Sequence, residues 1–210
     1  MRTEFVHLNP TEVIQGRPFT DPKNSAADLA SLQYIADQVR YLLLAQPERF
    51  SSQPYPAVIY LSEQEGRYFR IMLARPDRLK ANDDFYAVGF CGVKRPTSDR
   101  GLVDNLDEEL IEEFPLHPNL ICYCTLEVEP GHTCNLVLFD DPAGLLHWSR
   151  SAKHAQAVEL SPSYYYSIRL HNALLPEGLL SSRPLMLLRT KYFDFQGDAI
   201  WWGVRELPEQ

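Results

Sequence analysis

Apolar residues recur every three to four positions from Ser25 to Phe50, and this period is typical of an amphipathic helix facing a core. Ser25 is predicted to cap this helix. The preceding residues 1–24 carry three prolines and show no period, so we expect an extended arm there. The apolar positions of the predicted helix are Leu29, Leu32, Ile35, Ala36, Val39, Leu42 and Leu43.

Short runs of β-branched and aromatic residues, separated by turn residues, predict strands between residues 57 and 94 and again between residues 184 and 207. Between them, the acidic stretch Leu106–Phe114 predicts a short solvated helix. The predicted strands are Ala57–Ser62 and Arg67–Ala74, joined by Glu63–Gly66, then Asp83–Lys94, and finally a C-terminal hairpin of Pro184–Phe195 and Ala199–Leu207.

The stretch from Leu120 to Pro176 predicts, in order, a strand, a tight turn, a strand, a helix and a strand. Its strands are Leu120–Glu129, Thr133–Phe139 and Ser161–Pro176, and its helix opens at Asp140–Pro142 and carries His147–Glu159. Together with the preceding strand and acidic helix, residues 83–176 follow the order β-α-β-β-α-β. This order is typical of the ferredoxin-like fold, an antiparallel four-stranded sheet with both helices on one face.

We therefore predict an α+β protein with a ferredoxin-like core. Residues 1–56 would form an N-terminal arm and helix, and residues 57–207 a single domain with its core at 83–176. The N-terminal helix and the flanking hairpins would be additions to that core. The chain has 210 residues, of which 45% are hydrophobic, and this suffices for a core of that size.

Charge and apolar runs exclude several classes of protein. The net charge is −8 and the basic residues are scattered, which argues against binding to nucleic acid or to an anionic membrane. No apolar run is long enough to span a bilayer, and the N-terminus lacks a signal-peptide core, so we expect a cytoplasmic protein. In that compartment the cysteines are expected to be buried thiols; they are Cys91, Cys122, Cys124 and Cys134.

The stretch Asn135–Glu159 combines an apolar strand, an aspartate-containing turn and a helix that carries Trp148, Ser151 and His154. This combination resembles the dimeric α+β barrel superfamily, which includes the antibiotic-biosynthesis monooxygenase-like proteins. The resemblance implies a homodimer in which each subunit holds a ligand between helices and sheet. Some members oxidise aromatic compounds without a cofactor, some bind and degrade haem, and others have no known chemistry.

The haem-degrading members can be compared with this chain residue by residue. Trp148 matches their helix tryptophan, but Val158 stands at the position of the haem-ligating histidine. The strand Asp83–Lys94 also lacks their asparagine. Haem degradation by that mechanism is therefore not expected, and we predict no cofactor. A haem carrier that uses His147, His154 or His171 stays open as an alternative.

The last strand of the core supplies the candidate site. Side chains alternate along a strand, so Tyr165, Arg169 and His171 are predicted to share one face. If that face lines a cavity, Arg169 could hold a carboxylate or oxyanion and His171 could act as a general base. Trp148 would form a wall of the same ligand-binding site, or pack in the core. If the strand face meets solvent or a dimer partner, these are rim residues.

A metal site is not predicted from the histidines of the helix. His147 and His154 are seven residues apart, about 10 Å along a helix axis, which is too far for one metal ion. Walker A, GxGxxG, GxSxG and HExxH motifs are absent from the sequence, which argues against the common enzymes that carry them.

Two functions from different classes follow from these patterns. The first is binding of a small apolar or aromatic molecule, with monooxygenase-like activity as an option and the catalytic residues unknown. The second is a non-enzymatic interaction protein whose aromatic C-terminal hairpin forms a homodimer contact, since adjacent tryptophans on a strand point to opposite faces. The aromatic residues of that hairpin are Tyr192, Phe193, Phe195, Trp201 and Trp202.

Overall fold

The strands of the described residues all join one nine-stranded sheet. The structure, a computed structural model, describes residues 3–50, 55–62, 67–96 and 109–207. The order of the strands is β1-β9-β8-β7-β4-β6-β5-β3-β2, and every neighbouring pair is antiparallel except β1 and β9. The strands are β1 Thr3–His7, β2 Ala57–Ser62, β3 Tyr68–Leu73, β4 Phe85–Lys94, β5 Leu120–Glu129, β6 His132–Phe139, β7 Tyr165–Leu175, β8 Met186–Asp194 and β9 Ile200–Glu206.

The predicted ferredoxin-like fold is wrong. The four strands expected to form the whole core are adjacent, in the order β7-β4-β6-β5, but they are only the middle of the sheet. Strands β3 and β2 continue the sheet beyond β5, and β8, β9 and β1 continue it beyond β7. An open strand edge exposes unpaired backbone groups, and the flanking hairpins satisfy those groups on both sides. The fold is therefore α+β with a much larger sheet.

One long helix, α1 (Pro22–Ala45), covers one face of the sheet. Its N-cap is Asp21, whose side chain accepts a hydrogen bond from the Lys23 backbone N–H, so the predicted cap at Ser25 is wrong. Leu32 lies against β4 at Gly89, where a Cβ atom would come within 2.3 Å of the leucine side chain. The absent side chain at Gly89 thus lets α1 approach the middle of the sheet.

The opposite face is covered over β4, β5 and β6 by α2 (Pro142–Ser149) and by the segment around Phe114. Trp148 of α2 packs against Phe114 with 5.9 Å between ring centroids. Helix α3 (Ala152–Tyr164) follows after a break, with Ser151 as its cap. The sequence predicted one uninterrupted helix over His147–Glu159, so this break is a correction.

The N-terminal arm is part of the same folded unit. Strand β1 pairs in parallel with β9. Leu8 packs with Tyr192 and Trp201 in a small apolar cluster, separate from those under α1 and α2. Arg17 lies over the Trp201 ring, 4.5 Å from its centroid, and pairs with Asp194 at 3.1 Å. Trp201 is thereby covered by the arm of its own chain.

Most strand predictions are confirmed to within a few residues, and Leu120–Glu129 is confirmed at both ends. Several predicted features fall outside the described residues, namely the turn Glu63–Gly66 and residues 106–108 of the acidic helix. Residues 109–112 of that segment are helical. Among the described helices, none combines the length and apolar character needed to cross a bilayer.

Candidate functional site

A buried polar cluster joins α1 to the middle of the sheet. Asp28 of α1 accepts hydrogen bonds from Arg169 of β7, with 2.8 Å between Nη2 and Oδ1. The same carboxylate lies 2.9 Å from Nε2 of His171, whose Nδ1 is 2.9 Å from the Thr190 hydroxyl of β8. All four side chains are buried, and every pair that forms the cluster spans two elements.

The electrostatics of this cluster favour a charged carboxylate. Burial alone would raise the pKa of Asp28, but the hydrogen bonds and charges of Arg169 and His171 outweigh it and lower that pKa below 3.8. A buried charge that is paired in this way fixes α1 on the sheet and engages the charged groups of Arg169 and Asp28 with each other.

A second buried network continues from the first toward the N-terminal arm. Ser25 of α1 lies 3.1 Å from the Tyr192 hydroxyl, which also accepts a hydrogen bond from Arg205 of β9. Arg205 is 1% exposed and donates in addition to the backbone carbonyls of Asn9, Glu12 and Thr20. Because its guanidinium is used to hold the arm, Arg205 is a structural residue.

A small apolar cavity of ≈ 170 Å³ lies beside this second network, between the start of α1 and β8. Apolar residues, four of them leucines, form most of its wall, and among the described residues Ser25 and Arg205 are the polar ones that line it. Both are already engaged, so the cavity offers few groups that could orient a ligand.

The four residues predicted to line a ligand site lie on two different faces of the sheet. Arg169 and His171 face α1 and are sealed beneath it. Trp148 lies on the opposite face, in the cluster of α2. Tyr165 also lies there, because a β-bulge at Val93 and Lys94 shifts the register of β7 and brings its ring to Phe90, with 5.2 Å between centroids.

A cluster of histidines surrounds Trp148 where α2 ends. The centroid of His117 lies 5.2 Å from that of His147 and 4.8 Å from that of Trp148, and the centroid of His154 lies 5.7 Å from that of Trp148. His147 is exposed, whereas His117 is 6% exposed. An open pocket of ≈ 290 Å³ adjoins them, and its lining includes Glu113, His117, His147 and Arg150.

Two imidazoles of this cluster, those of His117 and His154, are held in an environment that favours the neutral form, and buried ring nitrogens of both lack hydrogen-bond partners in the described part of the chain. Burial, followed by the neighbouring His147, lowers the pKa of His117, and burial with His117 lowers the pKa of His154. Both ring nitrogens of His117 and Nδ1 of His154 are buried without a hydrogen-bond partner among the described residues. Buried polar groups are nearly always paired, so this cluster needs an explanation.

A row of aromatic side chains crosses one corner of the sheet, on the face opposite α1. Phe5 of β1 lies 4.2 Å from Trp202 of β9 between ring centroids, Trp202 lies 6.2 Å from Phe193 of β8, and Phe193 lies 6.4 Å from Phe195. We call these four residues the aromatic strip. Phe5 is 45% exposed and the other three are half-buried.

The cysteines depart from the expectation of four free thiols. Cys91 of β4 and Cys134 of β6 are directly opposite each other and form a disulfide, with 4.2 Å between Cα atoms. Cys122 and Cys124 are free and buried. Asp28 and the two bonded sulfurs form the one group of three metal-ligand atoms found close together among the described residues. Because the sulfurs are bonded to each other, this group is not a metal site.

Sequence reasoning missed Asp28, Glu113 and His117. A signal existed for Asp28, because positions 28, 32, 35 and 39 share one helix face, and an acid on an apolar stripe requires a buried partner. His117 lies between predicted elements, next to Pro118, and carries no periodic signal.

Comparison with known proteins identifies no family for this chain. No family model and no curated protein matches it. A solved structure that matches is the NE2512 protein of unknown function from Nitrosomonas europaea, at 15% identity and a TM-score of 0.40. The match covers 49% of this chain and 96% of that protein. The resemblance to the dimeric α+β barrel superfamily stays an untested prediction.

Proposed function

We propose that the protein is a non-enzymatic interaction protein that associates with a second copy of itself. The aromatic strip, which reaches the free edge of the sheet at β1, is the observation that carries this proposal. Exposed aromatic side chains that adjoin one another are enriched in protein contacts, whereas scattered ones are ordinary surface.

The edge of the sheet supports a second copy as the occupant. Among the described strands β1 pairs only with β9, so its outer backbone edge is open to another strand. An antiparallel pairing of two β1 strands centred on Phe5 would place Phe5 opposite its copy and Glu4 opposite Val6. This register creates an aromatic pair and sets no like charges directly opposite each other.

The interior of the protein favours this function over a small-molecule site. An enclosed pocket with converging polar groups would support ligand binding. In the described part of the chain, Arg169 and His171 are instead bonded to Asp28 under α1, and Trp148 and Tyr165 lie across the sheet from them. Binding of an aromatic molecule, monooxygenase-like activity and a haem-carrier role all stay untested predictions.

The test is the dissociation constant of the dimer, measured by sedimentation equilibrium for variants of the strip. Phe5→Lys places a charge at the centre of the proposed contact on an exposed position, so the monomer should keep its fold. We expect the dimer to weaken at least tenfold, because a central charged group cannot be desolvated without a partner.

Tyr41→Lys is the matched control, since Tyr41 is an aromatic residue on the outer surface of α1 with an exposure of 60%. It should leave the dissociation constant unchanged. Phe193→Ser provides a second substitution in the strip and should also weaken the dimer. A dimer that resists both strip variants, or that weakens equally with Tyr41→Lys, would overturn the proposal.

A further inference from the structure

The pocket at the end of α2 combines a buried imidazole that lacks a hydrogen-bond partner among the described residues, a second imidazole and a carboxylate. His117 lines this pocket, is 6% exposed and has no hydrogen-bond partner on either ring nitrogen among the described residues. Leaving such a group unpaired costs free energy, unless something outside the described protein atoms supplies the missing contact.

We propose that His117, His147 and Glu113 bind a divalent transition-metal ion of the zinc class. Imidazole nitrogens and carboxylate oxygens are the ligands that zinc accepts alongside thiolates. The ion would lie in the open pocket of ≈ 290 Å³ that these three residues share.

The spacing of the two rings fits this assignment. Zinc–nitrogen bonds of about 2.0–2.1 Å in a tetrahedral site place two ligating imidazoles roughly 5 Å apart between centroids. The observed separation of His117 and His147 is 5.2 Å, and their planes are inclined by 65°. The distance between the two rings therefore matches the distance that a shared zinc ion requires.

The carboxylate lies close to the position that a third ligand requires. Oε2 of Glu113 is 3.9 Å from Nε2 of His117, which is too long for a hydrogen bond. Two ligand atoms of one tetrahedral zinc lie roughly 3.3 Å apart, so a small side-chain shift would bring both onto an ion. Ser151 donates a hydrogen bond of 2.7 Å to the same oxygen and orients it, as residues around a metal site commonly do.

His147 would have to turn to complete the set. No three ligand atoms of this pocket lie within 4.8 Å of one another among the described residues. The His147 side chain is exposed and lies on the last turn of α2, so a rotation about its side-chain bonds meets little obstruction. With three protein ligands and an open pocket, a fourth coordination position would be left to water.

The test is a titration of the intact protein with zinc by calorimetry, together with the visible absorption of the cobalt form. We expect one equivalent to bind, a tetrahedral cobalt spectrum, and a rise in the melting temperature with zinc. His147→Gln changes an exposed residue and should weaken zinc binding at least tenfold while leaving the melting temperature of the metal-free protein unchanged. Glu113→Gln should also weaken zinc binding.

His7→Gln is the control, because His7 is an exposed histidine on β1 at a different part of the sheet. It should bind zinc as the natural protein does. Zinc that binds equally well to His147→Gln and Glu113→Gln, or that does not bind to the natural protein, would overturn the assignment. Neither result depends on whether the protein forms a dimer.

Discussion

At the scale of single residues, the buried charges depend on partners from distant parts of the sequence. Alternation along β7 predicts correctly that Arg169 and His171 share a face. The sequence could not show that Asp28 covers that face, because Asp28 lies 141 residues before Arg169 in the chain. Nor could alternation place Tyr165, because the bulge at Val93 and Lys94 interrupts it.

Asp28→Asn should lower the free energy of unfolding by about 3–5 kcal/mol, because it leaves the Arg169 charge buried without its counter-ion. Urea unfolding at pH 7 measures this loss. Asp37→Asn removes a carboxylate of the same helix whose side chain is 47% exposed and pairs with Arg40. That control should cost less than about 1 kcal/mol. Equal losses for the two variants would show that the buried cluster is energetically unimportant.

The carboxylate of Asp28 should also make the free energy of unfolding depend on pH. The pKa of Asp28 in the folded protein lies below its ordinary value of 3.8, so its stabilisation is complete above that value and lost as the pH falls further. The difference in unfolding free energy between the natural protein and Asp28→Asn should therefore stay constant from about pH 7 to 5 and shrink below 3.8. A difference that grows on acidification would contradict the assigned partners.

At the scale of elements, local patterns predict where strands and helices occur but not how they pair. The 24-residue α1 and the strand Leu120–Glu129 follow directly from periods of 3.6 and 2. The break between α2 and α3 was not predicted from the sequence, because Ser151 caps a new helix within a largely polar stretch. Capping competes with helix continuation, and apolar periodicity does not record it.

The contact of α1 with the sheet is tight at Gly89, and Gly89→Ala should lower the unfolding free energy by about 1–3 kcal/mol through overpacking against Leu32. Leu32→Ala alone should cost about 2–5 kcal/mol through the cavity it creates. Since the two changes compensate in volume, the double variant should lose at least about 0.5 kcal/mol less than the sum. Strict additivity in urea unfolding would show that the helix does not rest on this glycine.

At the scale of the whole molecule, the size of the sheet was the main feature that could not be predicted from the sequence. The order β-α-β-β-α-β led to a four-stranded core, yet the hairpins of β2 with β3 and of β8 with β9 extend the same sheet. Strand pairing depends on contacts between distant segments, and each hairpin's pattern is equally consistent with a separate layer. The arm likewise joins the sheet through β1, although its prolines favoured an irregular segment.

The disulfide between Cys91 and Cys134 should make the stability of the whole protein sensitive to a reductant. It closes a segment of 43 residues, and a link of this length stabilises a fold by up to about 4 kcal/mol in the chain-entropy model. A reductant should therefore lower the midpoint of urea unfolding of the natural protein and leave that of Cys91→Ser unaffected. A natural protein insensitive to the reductant would indicate two free thiols, as a cytoplasmic location predicts.

The proposed association of two copies through the aromatic strip and the β1 edge can be measured on the natural protein. The most direct measurement is the molar mass of the unmodified protein by light scattering during size-exclusion chromatography, over a range of concentrations. If two copies associate in this way, the mass should lie near twice 24.1 kDa and fall toward 24.1 kDa on dilution. A mass of 24.1 kDa at every concentration, including those well above micromolar, would contradict it.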